Sequence, residues 1–291
     1  MHRWPTQWSA TTAPFSDFPL VSYGYANARS VRCPVWCWEG WLCDMGCMRI
    51  DVTHTRAGFV LANTRPQAVE GLEGVILLLT DELQPLWHAT ETELRQQGVE
   101  PPFWAFAWLG GQAVSRWVVE NPQAVAGRTV LDFACGCGMS GIVALRAGAG
   151  VTVGVDIDEV ACVAAALNSQ LNEVALQMVC EDLLGRCDLR WPDVDEEVES
   201  LLARDSEVRL PDVILAGDVF YDAGMAARVL PWLQSLANLG VLVVLGDPGR
   251  KYLQTAQMQL LAEYRLRTTT EIEREEYMVA AVWRLMPESG R

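Results

Sequence analysis

The sequence predicts an α/β fold: a doubly wound, mostly parallel seven-stranded sheet with a C-terminal antiparallel hairpin, preceded by an N-terminal extension. Three observations carry this reading. From Thr129 onward, five short apolar runs alternate with helical stretches, the rhythm of βαβ units whose sheet is covered on both faces. The first run passes into a glycine-rich loop, Val130-Leu-Asp-Phe-Ala-Cys-Gly-Cys-Gly-Met-Ser-Gly141. Near the C-terminus the rhythm changes, and two extended segments follow each other closely enough to pair antiparallel.

In chain order, residues 49–79 read as an extended, strand-rich entry. A helix is expected near Ala89–Gln97, ended by Gly98 and the Pro101-Pro102 pair. Then come an aromatic stretch, Phe103–Trp108, a break at Gly110-Gly111, and an amphipathic helix over Gln112–Glu120 that stops before Pro122. The parallel strands are Thr129–Phe133, Val151–Asp156, Leu176–Cys180, Asp212–Ala216 and Val241–Leu245, with helices such as Glu159–Leu171 and Met225–Leu236 between them. A helix around Ala256–Tyr264 leads to the closing pair, Arg265–Thr270 and Tyr277–Leu285. The acid-rich Val194–Arg209 is a solvated insert between the third and fourth strands.

Three regions follow from this: residues 1–47, an extension over 48–122 that covers the site, and the main domain over 123–291. Residues 1–47 lack helical or strand periodicity and hold five of the twelve tryptophans, together with Cys33, Cys37, Cys43 and Cys47. Their C-x3-C-x5-C-x3-C spacing departs from the C-x2-C knuckles of structural zinc sites, so no metal site is assigned. The segment is expected to be a poorly ordered leader ahead of a native start at Met48.

Composition removes several function classes. A chain of 291 residues, 51% of them apolar, buries a large core, and no run reaches the roughly eighteen apolar residues of a membrane span. A formal charge of −15 repels phosphate backbones and leaves no basic footprint for nucleic acid. One lysine, Lys251, and three histidines leave few candidates for Schiff-base or histidine-triad chemistry. Nine cysteines without an export signal suit a reducing compartment. With 21 arginines beside the single lysine, a GC-rich bacterial source is expected, and the cytoplasm is preferred to a mitochondrial matrix.

Gly136, Gly138 and Gly141 satisfy G-x-G-x-x-G, and Asp156 stands 20 residues after Gly136, where a dinucleotide site keeps its ribose acid. Taken alone, that pattern points to NAD. Asp132 argues otherwise, because a carboxylate at the end of the first strand faces a pyrophosphate unfavourably and a cationic amino group favourably. S-adenosylmethionine carries such an amino group and a sulfonium, and no phosphate. Asp156 accepts from ribose hydroxyls, and Asp182, at the end of the third strand, accepts from an adenine amino group. Three acids at successive carboxyl ends form a site at the switch point of the sheet.

The stretch Val130–Gly138 resembles the first motif of the seven-strand, Rossmann-like class I S-adenosylmethionine-dependent methyltransferases, with Ala134 in place of their usual first glycine. Four further stretches narrow the resemblance: Phe103–Ala113, Leu215–Asp222, Leu230-Pro-Trp-Leu233 and Gly246-Asp-Pro-Gly-Arg250. Together they resemble the lysine methyltransferases of the electron transfer flavoprotein β subunit, across roughly residues 56–286. The resemblance implies a protein-lysine N-methyltransferase with Asp218 and Tyr221, an Asp-x-x-Tyr motif, at the substrate lysine. For the cofactor it implies contacts from Trp108, Asp132, Ala134, Gly136, Gly138, Asp156, Ile157, Asp182 and Leu183. Phe220 and Arg250 are the substrate-binding candidates. Rival readings keep the fold with a ribosomal protein L11-type or small-amine target, or return to an NAD-dependent oxidoreductase. Glutamine and nucleic-acid bases are disfavoured, because Gly217-Asp-Val-Phe-Tyr221 lacks the prolines of an Asn-Pro-Pro-Tyr motif.

Overall fold

The computed structural model describes residues 56–80, 102–186, 210–268 and 276–288. The leader, the helix near Ala89–Gln97 and the acid-rich insert lie outside these residues. The entry segment opens with a helix, α1 (Arg56–Asn63), where extended structure was expected. The side chains of Asn63 and Thr64 donate to the carbonyls of Phe59 and Val60, at 2.8 and 2.7 Å, and end it there. Strands β1 (Arg65–Ala68) and β2 (Ile76–Leu79) follow as an antiparallel hairpin.

The main sheet has seven strands in the order β5-β4-β3-β6-β7-β9-β8. Strands β3 (Thr129–Phe133), β4 (Val151–Asp156), β5 (Gln177–Cys180), β6 (Val213–Gly217) and β7 (Leu242–Asp247) run parallel, while β8 (Met258–Arg267) and β9 (Tyr277–Leu285) form an antiparallel pair against β7. Helices α2 (Leu109–Glu120), α3 (Met139–Arg146), α4 (Glu159–Leu171) and α5 (Ala223–Asn238) complete the domain. One core joins the sheet to α5 through Trp232, Leu233 and Leu236, and another joins it to α2 and α3 through Val114, Val118 and Ile142. Asn168 of α4 and Asn172, which caps its C-terminus, tie the β-hairpin down, accepting from Leu78 N at 2.6 Å and Ile76 N at 3.1 Å.

Two expectations fail for identifiable reasons. Residues 256–264 are not a helix; most of them belong to β8. A register shift between Leu260 and Ala262 interrupts the strand's alternation, and the extra residue of such a bulge brings apolar side chains to a spacing that imitates a helical stripe. Gly110-Gly111 is likewise no break, because both residues lie in the first turn of α2.

The glycines are there for proximity. A β-carbon on Gly246 or Gly217 would overlap backbone of Gly110 or Gly111, and one on Gly110 would lie 2.6 Å from Asp218 Oδ2. Helix α2 therefore rests backbone to backbone on the carboxyl ends of β6 and β7. We predict that Gly110→Ala lowers stability by about 3 kcal/mol through overpacking. Gly111→Ala, whose β-carbon meets only the mobile end of Met139 at 3.1 Å, should stay within about 1 kcal/mol of wild type. Urea unfolding of the two variants measures both, and equal losses would contradict the contact.

Candidate active site

The loop after β3 winds through left-handed backbone at Ala134 (φ 51°), Gly136 (φ 52°) and Gly138 (φ 76°). Ala134 bears its methyl in a conformation that L-residues adopt at a cost of about 1 kcal/mol or more. Gly138 precedes α3, and a β-carbon there would press within 2.8 Å of Ala165 Cβ. At Gly136 an added β-carbon would meet only Trp104 Cα, at an ordinary contact distance of 3.8 Å. Beneath the loop, Asp132 is buried and its Oδ2 accepts from Gly141 N at 2.7 Å. Burial pushes its pKa up to about 8, against the lowering effect of that hydrogen bond and with Asp156 adding to the rise.

Asp156 closes the other side of the loop. Its Oδ2 accepts from Gly136 N at 2.9 Å and its Oδ1 from Asp158 N at 3.1 Å. Burial raises its pKa, while these backbone donors hold it down. The next residue, Ile157, is 69% exposed at the end of β4, an apolar surface beside two acids. Asp182 is exposed and its carboxylate is paired with the Arg228 guanidinium at 2.7 Å. Leu183, expected at the cofactor, instead places its side chain in the core.

At the ends of β6 and β7 stands the second half of the site. Asp218 adopts φ 58°, donates its own N–H to Gly246 O at 2.9 Å, and accepts from Gly111 N through Oδ2 at 3.1 Å. It thus satisfies a donor at the N-terminus of α2 that no residue of that helix reaches. Oδ1 faces Arg250 Nη2 at 3.3 Å. Burial lifts the Asp218 pKa to about 6, with Arg250 and Gly111 opposing and Asp247 contributing to the rise. Phe220, assigned to the substrate, is fully buried in the core with Val219; of the motif's aromatics, only Tyr221 remains partly exposed.

An aromatic segment joins the two halves. Trp104 approaches the space above Gly136, while the ring of Phe103 lies 5.7 Å from Tyr221 and 6.0 Å from Trp108. Trp108 precedes α2, donates through Nε1 to Phe103 O at 2.8 Å, and stands 6.0 Å from the guanidinium carbon of Arg250. The structure brings together Trp108, Asp218, Tyr221 and Arg250, and gathers Asp132, Ala134, Gly136, Gly138 and Asp156 at the loop.

Phe103 and Asp247 were not singled out from the sequence. Asp247, with Oδ1 accepting from Gly249 N at 2.7 Å and Arg250 N at 2.6 Å, forms the turn that presents Arg250. Asp-Pro-Gly is the composition of such a turn, and it was the available signal. Among the described residues no group of three or more His, Cys, Asp or Glu side chains is placed to hold a metal.

The residues present fit S-adenosylmethionine: a left-handed glycine loop, an exposed Ile157, and carboxylates suited to a cation. Five parallel strands closed by an antiparallel pair, with this loop at the switch point, define a class I S-adenosylmethionine-dependent methyltransferase. The profile of the ribosomal protein L11 methyltransferase (PrmA) family matches residues 118–195 and ends before Asp218; it speaks for the cofactor half. Electron transfer flavoprotein beta subunit lysine methyltransferases of Danio rerio and Xenopus laevis are each 36% identical to the chain. These matches cover 63% of this chain and 66% of the Danio protein, and 64% of this chain and 70% of the Xenopus protein. A ribosomal protein L11 methyltransferase of Cupriavidus pinatubonensis is 33% identical over 51% of this chain and 52% of that one. The chain belongs to the family of the electron transfer flavoprotein beta subunit lysine methyltransferases, and it spans about two thirds of the length of these relatives.

Two predictions follow from the cofactor half. Asp156→Ala should weaken S-adenosylmethionine binding by about 1.5–3 kcal/mol, the worth of hydrogen bonds to a charged acceptor; unchanged affinity in titration calorimetry would remove Asp156 from the site. At pH 7 Asp132 is mostly protonated, since burial has raised its pKa to about 8. A cationic amino group brought beside it lowers that pKa, so cofactor binding should release up to about one proton. The dependence of binding enthalpy on buffer measures this release, and Asp132→Asn should abolish it.

Proposed function

We propose that this chain methylates the side-chain amine of a lysine in a protein, with the electron transfer flavoprotein β subunit as the target. The observation that carries the reading is Asp218: a largely buried carboxylate at the end of β6, with Oδ1 turned toward a cation. The names of the relatives support the target, and their similarity, 36% over 189 and 192 residues, exceeds the 33% over 160 residues of the L11 methyltransferase relative. Family membership removes the oxidoreductase reading.

S-adenosylmethionine supplies an electrophilic methyl group on sulfur. The residues of this chain hold and orient the amine. A lysine ammonium is attracted by Asp218 and by the faces of Tyr221 and Trp108, each aromatic contact contributing about 0.5–2 kcal/mol. Neutralising the amine near pH 7 costs about 4.6 kcal/mol from its reference pKa, and a carboxylate beside it raises that pKa further. Asp218 accordingly positions the nitrogen, and solvent takes the proton. Transfer relies on proximity and alignment. The charge of −15 suits a basic docking face on the target, and the free thiols among the described residues suit a reducing compartment such as the cytoplasm.

Incubation with labelled S-adenosylmethionine and purified electron transfer flavoprotein should label the β subunit. Asp218→Asn keeps an oxygen to cap α2 but should abolish transfer while cofactor affinity is unchanged. Labelling by the variant at the wild-type rate would reject the role of Asp218; no labelling by the wild type, with cofactor bound, would reject this target.

A further inference from the structure

Asp247 is fully buried, and the turn it forms uses only one of its oxygens. Oδ1 accepts from Gly249 N and Arg250 N, while Oδ2 is buried and, among the described residues, has no hydrogen-bond partner. Such a turn needs an acceptor and no charge, since asparagine makes the same two bonds through its amide oxygen. A carboxylate costs more there, because an anion is taken from water and one of its oxygens goes unpartnered. The turn accounts for an oxygen at this place and leaves the charge unexplained.

The fold places that charge beside the substrate acid. Strands β6 and β7 pair Gly217 with Gly246, and Asp218 extends the ladder by donating its N–H to Gly246 O at 2.9 Å. Asp218 and Asp247 are thus the next residues at two adjacent strand ends. Arg250 joins them, with its N–H on Asp247 Oδ1 at 2.6 Å and its Nη2 3.3 Å from Asp218 Oδ1. Across from them, β9 pairs Ala281 with Asp247 and the first turn of α2 brings Gly110 and Gly111, none of which is charged. Two carboxylates and one guanidinium leave one negative charge over. After burial, the charges acting on Asp218 are Arg250, which lowers its pKa, and Asp247, which raises it. Burial raises the pKa of Asp247 as well, and its two N–H donors and the Arg250 charge hold it down.

We propose that Asp247 is a positioning residue of the substrate site, supplying the negative charge that Arg250 leaves uncompensated and that a lysine ammonium balances. This rests on the lysine reading above and deepens it. Asp218 and Arg250 alone form a neutral couple, which draws a further cation weakly; Asp247 gives the group its sign. At an effective dielectric constant of about 20, a unit charge within about 10 Å changes affinity on the order of tenfold. The same charge favours the protonated form of the bound amine, so it draws lysine in and delays loss of the proton.

The test uses the full chain with S-adenosylhomocysteine bound and n-butylammonium as the probe, titrated calorimetrically into wild type, Asp247→Asn, Asp247→Asn combined with Arg250→Gln, and Asp218→Asn. Asp247→Asn keeps the acceptor of the turn and should bind the probe about tenfold more weakly. The double variant, which has lost one charge of each sign, should return to near wild type, a rescue that a merely structural role for Asp247 would not give. On the protein target, Asp247→Asn should raise KM and shift the rise of kcat with pH to lower pH, because Asp218 and the bound ammonium both lose a neighbour that keeps them protonated. Probe affinity unchanged by Asp247→Asn, or weakened without rescue in the double variant, would overturn the proposal; the lysine reading would stand if Asp218→Asn still abolished binding. No probe binding by the wild type would also overturn the proposal, and binding indifferent to Asp218→Asn would overturn both.

Discussion

The contact between the first turn of α2 and the ends of β6 and β7 is the constraint on which the site depends. Three glycines, Gly110, Gly217 and Gly246, let backbone meet backbone there, and a β-carbon on any of them would collide. That approach brings Gly111 N within reach of Asp218 and Gly246 O within reach of its N–H. Asp218 sits in left-handed backbone, a conformation that costs a non-glycine residue about 1–3 kcal/mol, and the two hydrogen bonds hold it there. The same helix begins directly after the aromatic segment, so placing α2 also places Trp108 over Arg250 and Phe103 against Tyr221.

Electrostatics follows from burial. Asp132, Asp156 and Asp218 have all been taken from water, and burial is the largest influence on each, raising its pKa. Carboxylates destabilised in this way gain from a nearby positive charge. An amino group and a sulfonium on one side, and an ammonium on the other, supply it without a metal and without phosphate. A pyrophosphate brings no positive charge to offset their burial. This is the physical reason that a loop satisfying the dinucleotide pattern serves a different cofactor.

Much of this was legible in the sequence. The five parallel strands and the α4 helix are where apolar runs and turn residues placed them, because buried parallel strands leave a plain hydrophobic signature. The glycine loop and the acids at strand ends were readable for the same reason. Less legible were features set by tertiary contact. Phe220 looked like a channel wall beside Tyr221, yet neighbouring side chains in a turn can go to opposite environments, and this one fills the core. The side chain of Leu183, next to Asp182, likewise packs in the core. The bulge in β8 disguised a strand as a helix, and Gly110-Gly111 read as a break because sequence carries no record of the backbone that approaches from β6 and β7. The pairing of Arg250 with Asp218 joins residues 32 apart in the chain, and no local pattern announces it.

The central claim is that Asp218 holds the substrate amine with one oxygen while the other holds the helix. A crystal structure of the chain with S-adenosylhomocysteine and a lysine peptide from the electron transfer flavoprotein β subunit tests it most directly. The account predicts the lysine nitrogen at the Asp218 carboxylate, with Gly111 N still donating to Oδ2. A lysine nitrogen seated elsewhere, with Asp218 and Arg250 still paired, would contradict it.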